Sequence, residues 1–155
     1  MAGRGCDEER PENGLVGQVW QVGLTLASPA AMAHRYENLV AWRRADDLFV
    51  RVHNLAAGFP SIERFELGSQ LRRAAYSVPA NIVEGFTRRS RRERLHFLNI
   101  AEASLAEVGY CLHVAKRLGY LGLQEYATHQ TEVQKAAAPL VGLIRAVRSE
   151  TVSPA

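Results

Sequence analysis

The chain has 155 residues, enough for one domain with its own core, and carries a formal net charge of +3. Its 47% hydrophobic and 23% charged residues are ordinary globular usage and argue against disorder, and no run approaches the roughly 18–20 consecutive apolar residues of a membrane span. The two cysteines, Cys6 and Cys111, sit far apart in different contexts, which argues against a disulfide framework.

Residues 1–33 are rich in glycine and small side chains and lack a sustained helical period. They are expected to form an N-terminal tail, or to precede a true start at Met32. The apolar piece within them is interrupted by Gln18, Gln21, Thr25, Ser28 and Pro29. Asp7, Glu8, Glu9 and Glu12 come before it, where a secretory signal needs positive charge. A cytoplasmic location is the expectation, with no membrane partner.

From residue 34 to residue 148 the pattern becomes helical, in four segments with apolar residues three and four apart. The first carries Trp42, Ala45, Phe49, Val52, Ala56 and Phe59, and stops at the pair Gly58 and Pro60. The second carries Leu67, Leu71, Ala74, Val78 and Ile82 and stops near Gly85. The third carries Leu98, Ala101, Leu105, Val108, Leu112 and Ala115 and stops at Gly119. Ser90 and Glu93 give its start the spacing of a capping box. The fourth carries Tyr126, Val133, Ala137, Leu140, Ile144 and Val147, with Gln130 in one slot. No segment alternates as a strand does. Short connections make neighbouring helices antiparallel, so the fold class is all-α, an antiparallel up-down four-helix bundle. Residues 149–155 are expected to be a C-terminal tail. A second stripe on the third helix, Phe97, Ile100, Cys111, Val114 and Leu118, points to self-association.

Pro79 interrupts the second helix, removes a backbone donor and presses on the Ala75 carbonyl, so a kink is expected. Gln70, Arg73, Ser77, Asn81, Glu84 and Arg88 form a polar stripe on that helix. It is readable either as polar residues bridging helices or as a ligand face. The surrounding run, Phe65 to Gly85, contains Ser77-Val78-Pro79-Ala80-Asn81-Ile82-Val83-Glu84-Gly85. It resembles the signature of the four-helix-bundle family named after the 23S rRNA intervening-sequence protein. Leu39-Val40-Ala41-Trp42, Phe97-Leu98-Asn99-Ile100-Ala101 and Leu118-Gly119-Tyr120-Leu121 extend the resemblance over about Tyr36 to Arg148. Ser77, Pro79, Asn81, Glu84 and Gly85 are its motif positions. The resemblance implies an up-down bundle assembled as a homopentamer. Some members are encoded in intervening sequences of 23S rRNA genes. A related group, the accessory variability determinants of diversity-generating retroelements, works with a reverse transcriptase and its RNA. RNA or such a complex is therefore an implied partner.

Arg88, Arg89, Arg91, Arg92 and Arg94 crowd the junction of the second and third helices, with Glu93 the single acid among them. Like charges this close repel unless an anion lies between them, and a helix start adds positive potential. Guanidinium forks and free backbone donors together suit phosphate. Arg72 and Arg73 on the preceding helix are candidates to extend the patch. Few aromatics lie nearby, which favours backbone contact over base stacking.

Catalytic patterns are weak. Glu93 and His96 have the spacing of a di-iron motif, but no second copy exists. Arg91 and His96 have the Arg-x(4)-His spacing seen in some helical ribonucleases that act without metal. Cys111 and His113 face different ways on a helix. His34, His53 and His129 stand alone. There is no phosphate-binding loop, dinucleotide fingerprint or nucleophile elbow. The expectation is a non-enzymatic oligomeric scaffold that binds RNA through its arginine-rich junction, with no metal, cofactor or small-molecule substrate. The alternatives are a protein–protein assembly factor that binds no nucleic acid, and a ribonuclease using Arg91 and His96.

Overall fold

The computed structural model describes residues 36–150. The expectations for residues 1–33, Met32, Cys6 and His34 lie outside the described residues, as do residues 151–155. A 3-10 turn at Tyr36–Asn38 leads into α1, Val40–Ala57, followed by α2, Leu67–Thr87, α3, Arg91–Arg117, and α4, Leu123–Ser149. The four helices pack antiparallel, each against its two neighbours and none against the diagonal one.

The core is the four predicted stripes brought together. All six predicted positions of α3 are buried, and Cys111 and Ser104 join them. On α2, Leu71, Ala74, Val78 and Ile82 are buried with Ala75, Pro79 and Gly85. On α4, Val133, Leu140, Ile144 and Val147 are buried, with Ala136 rather than Ala137 at the centre. The stripe of α1 is rotated from its expected place: Ala41, Ala45, Leu48, Val52 and Ala56 face inward. Trp42 and Phe49 are half-buried at the edge of the core. These rings seal seams between helices. Trp42 meets Tyr36 edge-on at 5.0 Å, and Phe49 meets Tyr76 at 5.8 Å. A large ring is worth more as a cover over a seam, touching two elements, than at the crowded centre of a bundle.

Two helix boundaries have clear chemical causes. At the start of α3 the Ser90 hydroxyl accepts the Glu93 backbone N–H at 3.2 Å. The Glu93 carboxylate accepts from the Ser90 hydroxyl at 2.6 Å, where a reciprocal box would have it take the Ser90 backbone N–H. At the end of α3, Gly119 has φ +79°, which favours glycine. Tyr120 N–H reaches back to the Ala115 carbonyl at 2.9 Å and Gly119 N–H to that of Lys116 at 3.1 Å. This is the paired bonding of a Schellman stop, and it satisfies two carbonyls that the helix would otherwise leave open.

Pro79 is buried, and α2 runs unbroken from Leu67 to Thr87 through it. The helix also outlasts the expected stop near Gly85 by two residues. The second stripe of α3 divides. Cys111 is core, Phe97, Ile100 and Val114 are half-buried, and Leu118 is 53% exposed. No helix among the described residues is long and apolar enough to cross a membrane.

The topology gives the bundle two distinct ends. One holds the end of α2, the start of α3, the end of α4 and the start of α1. The other holds the connections 58–66 and 118–122.

Candidate nucleic-acid interface

The α2–α3 junction is set by the glycine of the motif. A Cβ at Gly85 would lie 3.3 Å from the Arg94 carbonyl oxygen, 3.4 Å from Phe97 Cβ and 3.6 Å from Leu98 Cγ. Its hydrogen lets α2 approach the first turns of α3 closely, which brings the five arginines together at one end of the bundle.

Within that group the guanidinium groups have different surroundings. Arg88 pairs with Glu84 one turn earlier on α2 and stacks 5.0 Å from the centre of the Phe97 ring. Arg91 donates its Nε–H to the Val147 carbonyl at 3.0 Å and an Nη2–H to the Arg148 carbonyl. It therefore caps the end of α4, where carbonyls lack helical partners and the dipole favours a cation. Arg94 is largely buried and pairs with the Glu150 carboxylate just past α4. Arg89 and Arg92 are exposed and have no hydrogen-bond or ion-pair partner among the described residues.

Arg72 and Arg73 stand apart from this cluster. They lie about 16 residues before Arg88 on α2, roughly 24 Å along the axis at 1.5 Å per residue. Arg72 donates to the Arg64 carbonyl at 2.6 Å, and Arg73 to Gln70 Oε1 at 2.5 Å. Both belong to the loop end of the bundle. Sequence adjacency to the same helix suggested one patch, but helix length separates them.

The polar stripe of α2 faces α3. The Gln70 amide donates to Glu107, Ser104 Oγ donates to Ser77 Oγ at 2.8 Å, and Asn81 Nδ2 donates to the Ser77 carbonyl at 2.7 Å and to its hydroxyl at 2.9 Å. Ser77 and Gln70 are thus occupied in joining α2 to α3, Asn81 in holding Ser77, and Glu84 in holding Arg88. Pro79 packs in the core beside them. The motif positions build the helix pair and the junction; the surface it presents comes from the arginines.

Beside the junction lies an open surface hollow of about 610 Å³, lined by Arg91, Arg92, Leu95, His96 and Asn99. Its polar lining contains two guanidiniums, an imidazole and an amide, with no carboxylate. Arg92, His96 and Asn99 follow at intervals of four and three on the exposed face of α3, and all three are exposed. Asn99 was not among the expected site residues, though its helical spacing from Arg92 and His96 was available in the sequence. Glu93, considered above as half of a di-iron pair, is held by Ser90. No group of three or more metal-ligating His, Cys, Asp or Glu side chains occurs among the described residues.

The displaced pKa values lie outside the junction. Burial lowers that of His129, with Glu125 and Glu132 opposing and Arg51 assisting. The hydrogen bond from Lys135 lowers that of Glu132. Burial raises the Cys111 thiol, and the hydrogen bond to Glu63 raises Tyr120.

Comparison with known proteins follows the same lines. The family model described as "23S rRNA-intervening sequence protein" matches residues 37–142. A crystal structure of a protein of unknown function from the S23 ribosomal protein family of Bacteroides thetaiotaomicron superposes with a TM-score of 0.64 at 25% identity, covering 68% of this chain and 96% of the other. A search of curated proteins gives no match.

Proposed function

The chain belongs to the 23S rRNA-intervening sequence protein family, and from that premise we propose that it is a non-enzymatic helical scaffold that binds the phosphate backbone of RNA at its arginine end. The observation that carries this reading is the division among the junction arginines. Arg88, Arg91 and Arg94 are engaged within the protein, whereas Arg89 and Arg92 project beside the first turn of α3 with no internal counter-charge. Two exposed guanidiniums at a helix N-terminus attract an anion by charge, by forked donors and by the helix dipole. The hollow beside them adds donors and no acid.

Backbone contact suits this surface better than base stacking. The nearby rings are not presented as platforms, since Phe86 packs against the core and Phe97 lies under Arg88. A single junction offers few charges. Assembly of several copies, five in the arrangement that the resemblance implies, would repeat the junction and turn weak contacts into useful avidity.

The test is binding of the full chain to labelled structured RNA and to duplex DNA, titrated across salt. Wild-type protein is expected to show a steep negative log–log slope. The Arg89→Ser, Arg92→Ser double variant should bind about tenfold or more weakly, with a slope shallower by about 0.7–0.9 per phosphate contact removed. Binding that is absent at low salt, or unchanged in the double variant, overturns the reading and leaves a protein partner as the alternative.

Arg91 and His96 line one hollow, which keeps the ribonuclease alternative testable in the same assay. It predicts RNA cleavage in EDTA that is lost in His96→Ala. The tie of Arg91 to two main-chain carbonyls favours the scaffold reading, because it makes that guanidinium a structural cap.

A further inference from the structure

The exposed face of α3 does not end at the hollow. Arg92, His96 and Asn99 begin a stripe that continues, at intervals of four and three, through Ala103 and Ala106 to Tyr110, His113 and Arg117. Every one of these positions is exposed. From Arg92 to Arg117 the stripe runs about 37 Å along the bundle, at about 1.5 Å per residue.

Its far part holds groups that the fold does not use. Tyr36 and Tyr76 each meet another ring, Tyr120 bonds Glu63, and Tyr126 bonds Gln130 and lies under Lys116. Tyr110 is 67% exposed and has no hydrogen-bond, ring or cation partner among the described residues. His113 and Arg117, the next positions of the stripe, likewise have none. A large ring standing free in solvent buries its area only by taking a partner.

Charge indicates which partner. A hollow of about 210 Å³ between α3 and α4 is lined by Glu102 and Ala106 on one side and Val141 on the other. The exposed Arg145 and Arg148 follow Val141 at four and seven residues, so they stand on the α3 side of α4 and strengthen the arginine end. At the loop end Arg117 is joined by Arg64, Arg72, Arg73 and Lys116 against Glu63, Glu66 and Glu125, so cations predominate there too. The acids beside the stripe are Glu93, bonded to Ser90, Glu107, which accepts the Gln70 amide, and the exposed Glu102 next to the two alanines. Both ends of the stripe thus favour an anion and its middle does not. A polyanion with planar groups along it meets cations at both ends and the free ring between them.

We propose that the outward face of α3 is a track for single-stranded RNA, running from the arginine junction to Arg117, on which Tyr110 stacks against an unpaired base. The proposal rests on the nucleic-acid reading of the junction and names the form of RNA that suits it. A base inside a duplex is already stacked on its neighbours, so a free ring selects an unpaired one. The phosphates are held where the guanidiniums are, and the strand passes over Ala103 and Ala106, whose small side chains leave it room.

The test is binding of the full chain to labelled oligouridine, an unstructured strand, and to an RNA duplex of equal length. Wild type should bind oligouridine more tightly than the duplex. Tyr110→Ala should weaken oligouridine binding about tenfold with its salt slope unchanged, because stacking is not ionic, and Tyr110→Phe should bind as wild type does. Arg117→Ser should make the slope shallower by about 0.7. Wild-type affinity in both Tyr110→Ala and Arg117→Ser, alongside a loss in the Arg89→Ser, Arg92→Ser double variant, overturns the track and leaves the junction reading standing. Absence of binding by wild type at low salt overturns both. A changed mass of Tyr110→Ala in light scattering, with RNA binding unaltered, also overturns the track, since it gives this face to a contact between copies.

Discussion

The two ends of the bundle are built from the same four helices and solve opposite problems. At the arginine end, charge is concentrated and mostly consumed: Arg91 caps α4, Arg94 pairs with Glu150 and Arg88 pairs with Glu84. At the loop end, charges of both signs are interspersed and large apolar side chains stand in solvent. The difference teaches that a cluster of like residues in sequence is not one functional unit. Three of the five junction arginines hold the end together, and the surface chemistry falls to the two left over. At the other end most of the two connections is exposed, and bonds within and between them fix their position.

The largest expected effect lies between the ends. Val78 is fully buried at the centre of α2. Val78→Asp should destabilise the fold by about 3–5 kcal/mol, because an unpaired charge would replace a packed side chain. Circular dichroism and urea titration should show both ends lost together. A variant that unfolds only at one end would show that the ends are separate cooperative units.

Next come the arginines themselves. Arg94→Ala should cost about 2–4 kcal/mol, since it strands the Glu150 carboxylate in a partly buried place, whereas Arg89→Ala and Arg92→Ala should each change stability by less than about 0.5 kcal/mol. Comparable losses at all three positions, in thermal or urea unfolding, would erase the distinction between structural and presented arginines.

At the loop end, Gly119→Ala should cost about 1 kcal/mol or somewhat more, because an alanine there is forced to positive φ. Gly122→Ala, at negative φ and with open space for its Cβ, should be close to neutral. Equal effects would mean that the Schellman stop does not govern this connection.

The smallest effect is in pH dependence, and it concerns the flank between the two ends. Burial lowers the folded-state pKa of His129, so the unfolded chain takes up protons first as pH falls. Stability should be full above the ordinary histidine range and decline as pH drops through it toward the lower folded value. Glu132, also lowered, acts in the same direction at more acid pH, with loss as pH falls through the ordinary carboxylate range toward its lower folded value. His129→Gln should flatten the decline between about pH 7 and 5, measured as urea midpoint against pH. An unchanged profile would assign the acid sensitivity elsewhere.

Much of the fold was legible because helical packing is local in its signal. Spacings of three and four place Leu71, Val78, Leu98, Leu105 and Leu140 on inward faces whatever the partner helix is, and all are buried. The Ser90 cap and the Gly119 stop are likewise written in a few adjacent residues. The rotation of α1 was not legible. Periodicity cannot tell a large ring at the centre of a stripe from one at its edge, and Trp42 and Phe49 took the edge. The candidate site was legible as a place, the α2–α3 junction, but not in its parts. Nothing in the run Arg88 to Arg94 says that Arg91 meets carbonyls more than fifty residues away, at Val147 and Arg148.

The amino-acid sequence by itself therefore determined the number of helices, where α3 begins and ends, most core positions and the family resemblance, because each depends on interactions within a few turns of chain. Tertiary structure decided which arginines remain available, that Arg72 and Arg73 belong to the far end, and that the exposed Ile62, Phe65, Leu118 and Leu123 come to that same end. Those outcomes depend on how antiparallel helices bring distant residues to the same end, and no local pattern encodes that meeting.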